Sequence, residues 1–221
     1  MRLRFGRPAI IRTIDTPWVP RRALGEVPEA ALEALTLAIE ALEEAGARPW
    51  VTYGTLLGMV PEGRLLPHDD DIDLAVSSGG DAAGIATAMT ARGFVANSEE
   101  RDARGLTKQK FERGAILVEL FFVRQAGRWW TDLSRAGDYS VLYSTHPPVE
   151  IVRRRHGGLE LPVPAATEAY LAHCYGPDWR RPVTVWSWFL SPPNVELWLH
   201  WRDVYWFYRQ RRRFLKRLAK A

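Results

Sequence analysis

The chain is 221 residues long, 47% hydrophobic and 25% charged, a composition that supports a sizeable core and excludes global disorder. Its lone cysteine, Cys174, excludes an internal disulfide framework and a cysteine-rich zinc module, and no segment has the roughly 18 apolar residues of a bilayer span or the look of an export leader, so a cytoplasmic setting is expected. The net charge of +4 is uneven: residues 1–24 carry six Arg against Asp15, residues 195–221 carry eight Lys or Arg against Glu196 and Asp203, and the body between is acidic, which argues against a nucleic-acid groove.

Along the chain, residues 1–24 read as a basic N-terminal arm, 25–193 as the main domain, and 194–221 as a basic aromatic helix, either part of that domain or peripheral to it. Pro28 and the EAALEALTLAIEALEEA run after it predict a helix over residues 29–45, with Leu32, Leu35, Ile39 and Leu42 on one face and Gly46 just past its end. Trp50-Val51-Thr52-Tyr53 is strand-like, and Gly54-Thr55 opens a short apolar helix that ends at a Pro61-Glu62-Gly63 turn. Residues 72–76 are strand-like. Asp81 is placed to cap a helix through Ala91 that closes at Gly93, and an extended segment starts at Phe94.

Residues 106–111 and 115–123 flank a Glu112-Arg113-Gly114 turn and predict a hairpin, hence a mixed sheet. Residues 125–163 show no clear period. Residues 164–175 predict a helix stopped by Gly176-Pro177, and residues from about 194 to 220 predict one long helix. With no repeat and no long linker, the expected fold is a single α/β (α+β) domain.

The run His68-Asp69-Asp70-Asp71-Ile72-Asp73 carries the chemistry. A strand beginning near Asp71 puts Asp71 and Asp73 on one face and Ile72, Leu74 and Val76 on the other. Four carboxylates in five residues repel one another unless they face water or share a cation, and hard oxygen ligands suit Mg²⁺ or Mn²⁺. Glu119 sits inside an otherwise apolar strand, where it needs either a Lys or Arg partner or the same metal; with the cluster considered jointly, coordination is favoured. An EF-hand fails on register, because Leu74 falls where its loop needs Gly and Gly80 where it needs Glu. An Asp-x-Asp glycosyltransferase site is the remaining rival, although only 70 residues precede the cluster.

Tyr53-Gly54-Thr55-Leu56-Leu57-Gly58 followed by Gly63-Arg64-Leu65-Leu66-Pro67-His68-Asp69-Asp70-Asp71-Ile72-Asp73 resembles the LicD and fukutin-related family of phosphotransferases, which has a nucleotidyltransferase fold. Val118-Glu119-Leu120-Phe121 resembles that family's third-acid strand, and Pro164, Tyr170-Leu171, Tyr175-Gly176 and Asp178-Trp179 resemble its C-terminal segment. The likeness covers about residues 30–182. His68 stands where the family more often has an aromatic residue, and Glu119 where Asp is more usual.

The resemblance makes residues 25–193 a nucleotidyltransferase-fold catalytic domain: a mixed sheet flanked by helices. It implies transfer of a phospho-alcohol, such as phosphocholine or ribitol phosphate, from a CDP-linked donor to a hydroxyl of a glycan or glycolipid. On that reading Asp71, Asp73 and Glu119 hold one or two Mg²⁺ (or Mn²⁺), and Gly54 and Thr55 lie against a donor phosphate at a helix start. Asp69 and Asp70 orient ligands, act as base, or merely cap the loop. Lys108, Lys110 and Arg113 either reach the phosphates or protect an edge strand. Trp129 and Trp130 stack a base or fill core. The same acids also serve a nucleotidyltransferase that passes on the nucleotide itself. The terminal helix either rests on a membrane surface or docks as core.

Overall fold

Twelve strands and five α-helices form among residues 1–6, 12–15, 22–77 and 81–220, the residues that the computed structural model describes. The first half contains β1 (Arg2–Phe5), β2 (Arg12–Asp15), α1 (Pro28–Glu44), β3 (Pro49–Val51), α2 (Tyr53–Glu62), β4 (Asp71–Ser77), α3 (Ala82–Ala91), β5 (Val95–Asp102) and β6 (Gly105–Arg113). The second contains β7 (Ile116–Ala126), β8 (Trp129–Ala136), β9 (Ser140–His146), β10 (Ile151–His156), β11 (Leu159–Pro164), α4 (Thr167–Tyr175), β12 (Val195–Leu199) and α5 (Val204–Leu218). All strands but β10 and β11, which pair with each other, belong to one mixed sheet.

Local chemistry sets the helix ends. Pro28 starts α1, and beyond it the Ala47 and Gly46 amides close on the Leu42 and Glu43 carbonyls at 2.9 and 3.0 Å. This Schellman closure needs Gly46 at φ 74°. Asp81 caps α3 by accepting from the Ala83 and Gly84 amides at 3.2 and 3.1 Å.

The central strand is β7. Residues 117–123 run parallel to residues 71–77 of β4, while β6 pairs antiparallel along the other edge, which makes the 106–111 and 115–123 hairpin of the sequence analysis. Beyond Val123, β7 pairs with β8 instead, with Arg124 opposite Thr131, and so passes the sheet on to β9, β12 and β1. Alternation divides the two faces. Ile72, Leu74, Val76, Val118, Leu120 and Phe122 face the main core with α1, α2 and α3. Asp71, Asp73, Glu119 and Phe121 therefore lie on the opposite face, where β6 contributes Lys108 and Lys110 opposite Phe121 and Glu119.

Within the basic N-terminal arm, β1 pairs in parallel with β12 and β2 antiparallel with β5, while residues 7–11 and 16–21 lie outside the described residues. Two expectations are corrected. The long helix from 194 to 220 begins only at Val204. Val195, Leu197 and Leu199 alternate inward as β12, a period of two that no helix face matches, and a 3-10 turn at Trp201–Asp203 follows. Residues 125–163 are four strands, and the helix expected over 164–175 starts at Thr167 because Pro164 still pairs with Ile151 at the end of β11.

Candidate active site

The site forms where the turn between β3 and α2 meets the start of β4. The Gly54 amide donates to Asp73 Oδ2 at 3.0 Å, and the Asp73 amide donates to Thr55 Oγ1 at 2.8 Å. The turn thus grips Asp73 by its backbone and its carboxylate. The loop before β4 is held in turn by the Leu24 amide, which donates to the Asp69 carbonyl at 2.7 Å. Asp69, Asp71 and Asp73 consequently each present a carboxylate oxygen within 4.8 Å of the other two.

Electrostatics shows what this arrangement lacks. Burial, reinforced by the charges of Asp73, Glu119 and Asp69, pushes the Asp71 carboxyl up to about 10. Burial followed by Asp69 pushes Asp73 well above the carboxylate range, and burial raises Asp69. The charge of Lys108 reaches Asp73 but does not offset burial and the neighbouring acids, and three crowded carboxylates match the all-oxygen donor set of a hard divalent cation, so Mg²⁺ or Mn²⁺ fits these residues.

Glu119 stands differently. It is the β7 neighbour of Asp73 in register, but it is not among the three clustered acids. Its Oε2 is ion-paired to Lys108, and its Oε1 lies 2.6 Å from the Lys110 ammonium. Burial alone would raise its carboxyl; the two lysines outweigh burial and hold it down at about 2. Lys108, also 4.3 Å from the Phe121 ring centroid, is raised because Glu119 and Glu100 outweigh its own desolvation.

The remaining candidates are distributed as follows. Asp70 and His68 are exposed on the loop. Arg113 turns to Glu33 of α1, at 2.9 Å, and so away from the acidic face. Trp130 packs against Trp50 in the core, whereas Trp129 stacks on His173 of α4 with ring centroids 5.6 Å apart. Burial, reinforced by the charges of Asp73, Cys174 and Asp69, pushes the Tyr175 hydroxyl up.

Gly54 is the residue on which the cluster depends most directly. A Cβ there would collide with Asp69 Oδ2 and sit 3.4 Å from Asp73 Oδ2. Gly54→Ala should therefore displace the Asp69 carboxylate and weaken Mn²⁺ binding by about tenfold or more, while stability stays within about 1 kcal/mol because Ala favours a helix start over Gly. Calorimetric titration against the wild type tests this; unchanged Mn²⁺ affinity in a folded variant would remove Asp69 from the ligand set.

A second polar cluster escaped the sequence reading. Tyr53, the first residue of α2, adopts φ 44°, a left-handed conformation strained for a bulky side chain. Its hydroxyl donates to Asp132 Oδ2 at 2.6 Å and lies 3.1 Å from His146 Nε2, which itself reaches Asp132 Oδ2 at 2.7 Å. His146 stacks on Tyr170, whose hydroxyl is 2.9 Å from Thr52 Oγ1, and Cys174 Sγ lies 3.8 Å from His146 Nδ1. Burial pushes the Cys174 thiol up, so it stays protonated. These partners come from β8, β9 and α4, and His146 has no metal-ligand spacing to announce it. Tyr53→Phe should cost about 1–3 kcal/mol by stripping a donor from a buried carboxylate, as read by urea unfolding; an unchanged midpoint would show that the hydroxyl does not restrain the turn.

Comparison with known proteins identifies the family. Residues 46–166 match the family described as LicD/FKTN/FKRP, nucleotidyltransferase domain. The human ribitol-5-phosphate transferase FKTN is 26% identical over 171 residues, covering 76% of this chain and 37% of the relative. Its mouse counterpart is 24% identical over 168 residues, with 75% and 36% covered. The chain thus spans little more than a third of the length of these curated relatives. Among solved structures, ANT(2″)-Ia in complex with adenylyl-2″-tobramycin is similar over 62% of this chain and 70% of that one, at 15% identity and a TM-score of 0.41. A solution structure of ANT(2″)-Ia covers 72% and 77%, at 16% identity and a TM-score of 0.45. With more than half of its length matched, and the acid cluster and the Gly54 turn inside the matched region, the chain belongs to the LicD/FKTN/FKRP nucleotidyltransferase-domain family.

Proposed function

We propose that this chain is a divalent-metal-dependent phosphotransferase that moves a phospho-alcohol from a CDP-linked donor to a hydroxyl of a glycan or glycolipid. The observation that carries the reading is the Asp69-Asp71-Asp73 cluster, three acids at and just before the start of β4 whose carboxylate oxygens lie within 4.8 Å of one another, in a chain of this family. The names of the relatives favour ribitol phosphate over phosphocholine as the transferred group.

Asp71 and Asp73, with Asp69, would hold Mg²⁺ or Mn²⁺, which when bound neutralises diphosphate charge and stabilises the transition state of phosphoryl transfer. The chain's own residues do the rest. Gly54 leaves the space in which the Asp69 carboxylate sits, and Thr55 fixes the strand that carries Asp73. Glu119 gathers Lys108 and Lys110 on the acidic face of the sheet, where their ammonium groups supply donors to phosphate oxygens. Asp70, exposed beside the cluster and not one of the three clustered acids, is the candidate base for the acceptor hydroxyl.

A second reading is transfer of the nucleotide itself, favoured by the family's description as a nucleotidyltransferase domain. Incubation with Mg²⁺ and either a panel of CDP-alcohols or nucleoside triphosphates separates the two. Release of CMP with labelling of a glycan acceptor is expected; release of pyrophosphate with a nucleotide left on the acceptor would replace the first reading by the second.

A further inference from the structure

We propose that α5 and the sheet edge beside it dock on an anionic lipid bilayer surface. No helix among the described residues is long and apolar enough to cross a membrane, so the contact is peripheral. The inference is independent of which group the active site transfers.

The first observation is an apolar stripe held outward. No residue of α5 is buried. Val204, Tyr208, Leu215 and Leu218 recur at helical spacing on one side and are 43% to 57% exposed. The stripe is not a loose tail, because Trp206 and Phe207, on other sides of the same helix, pack on a cluster of Leu142, Phe189, Val195 and Leu197. Trp201, in the turn that leads into α5, is 70% exposed.

The second observation comes from the other end of the chain. In the parallel pairing of β1 with β12, Leu3 lies opposite Leu197 and Phe5 opposite Leu199. Leu3 and Phe5 therefore share the sheet face on which the Trp206 and Phe207 contacts lie, yet they are 40% and 70% exposed. Apolar side chains thus stand bare on that face of the sheet edge as well as on α5.

Charge selects the occupant. Between Val204 and Leu218 there are Arg209, Arg211, Arg212, Arg213, Lys216 and Arg217 and no acid. A second copy of this chain would bring six cations against six. A nucleic acid would satisfy the cations but leave the apolar stripe in water. An anionic bilayer satisfies both, since headgroups meet the basic side while tyrosines and leucines enter the interfacial layer, and Arg stems bridge the two depths.

The test is co-sedimentation of the intact chain with phosphatidylcholine vesicles with and without phosphatidylserine, at low and high salt. Binding is expected only with phosphatidylserine and should weaken as salt rises. Changing Arg211, Arg212 and Arg213 together to Gln should weaken partitioning by roughly 100-fold. Changing Tyr208, Leu215 and Leu218 together to Ser should also abolish pelleting at low salt, although every charge remains. All six positions are half-buried or more exposed and outside the core, and circular dichroism with thermal melting verifies that each variant is folded. Absence of binding to anionic vesicles at low salt overturns the proposal. So do binding that the Ser variant retains, which marks bare charge adsorption, and a dimer in sedimentation velocity that the Ser variant dissolves.

Discussion

Asp71→Asn and Asp73→Asn are each expected to lower transfer by roughly 10²–10³-fold or more while making the metal-free protein more stable at neutral pH. The two effects share one cause. The folded Asp71 carboxyl is pushed up to about 10 by burial and by Asp73, Glu119 and Asp69, whereas in the unfolded chain it titrates near the ordinary value of about 3.9. A group raised on folding contributes stability that is fully present below the unfolded pKa and is lost as pH rises through the folded one. Metal-free wild-type protein should therefore lose stability at this residue from about pH 4 up towards pH 10, and Asp71→Asn should lack that part of the slope. At pH 8 the variant should gain at least about 1 kcal/mol, roughly 2–4 °C in Tm for a domain of this size. Saturating Mg²⁺ should reverse the order, since binding at 100 times Kd adds about 2.7 kcal/mol to a protein that keeps its ligands. Melting curves in EDTA and in Mg²⁺ across pH 4–9 read both effects. A variant that melts below wild type in EDTA, or that keeps wild-type turnover, would sink the assignment of the cluster.

The helix ends and the acidic strand were legible in the chain, whereas the local hairpins β8–β9 and β10–β11 were not. The ends of α1 and α3 depend on Pro28, Gly46 and Asp81 acting within a few residues of themselves, and the acidic face follows from a period of two over Asp71, Ile72 and Asp73. The same alternation puts Lys108 and Lys110 on one face, but it does not say that both converge on Glu119, because that depends on the register of β6 against β7. Long-range pairing explains the misreading of the segment before α5. The Val195–Leu199 run carries enough aromatic and basic neighbours to look helical, and only the presence of β9 on one side and β1 on the other makes it a strand. Tyr53, Asp132, His146 and Tyr170 are scattered over more than a hundred residues, with no spacing that joins them before four elements fold together. The acid cluster is therefore a sequence motif, whereas the scaffold that strains and holds the adjoining turn is a product of topology.

Glu119→Gln should mainly destabilise the protein and should leave divalent-metal affinity within a few-fold of wild type. Removing the charge leaves two ammonium groups whose side chains are only 11% and 23% exposed, Lys108 and Lys110, without their counter-ion. Breaking a buried pair from one side costs about 3–5 kcal/mol. The lower end is expected here, because Lys108 still faces the charge of Asp73 and because one of the charges that raise Asp71 and Asp73 is gone. The sign with pH is opposite to that of Asp71. Glu119 is held at about 2 when folded, so its contribution is present above the unfolded value of about 4.3 and is lost as pH falls through the folded one. The gap between wild type and variant should stay constant from pH 5 to 8 and shrink as pH falls from about 4 to 2. Lys108→Met combined with Glu119→Gln should recover part of the loss, since it removes one of the two uncompensated charges together with its desolvation. Urea unfolding and Mn²⁺ titration on the same samples separate the roles: an early melt with near-normal Mn²⁺ affinity assigns Glu119 to positioning the lysines, whereas a normal melt with Mn²⁺ affinity lowered by tenfold or more makes it a ligand and breaks the three-aspartate assignment.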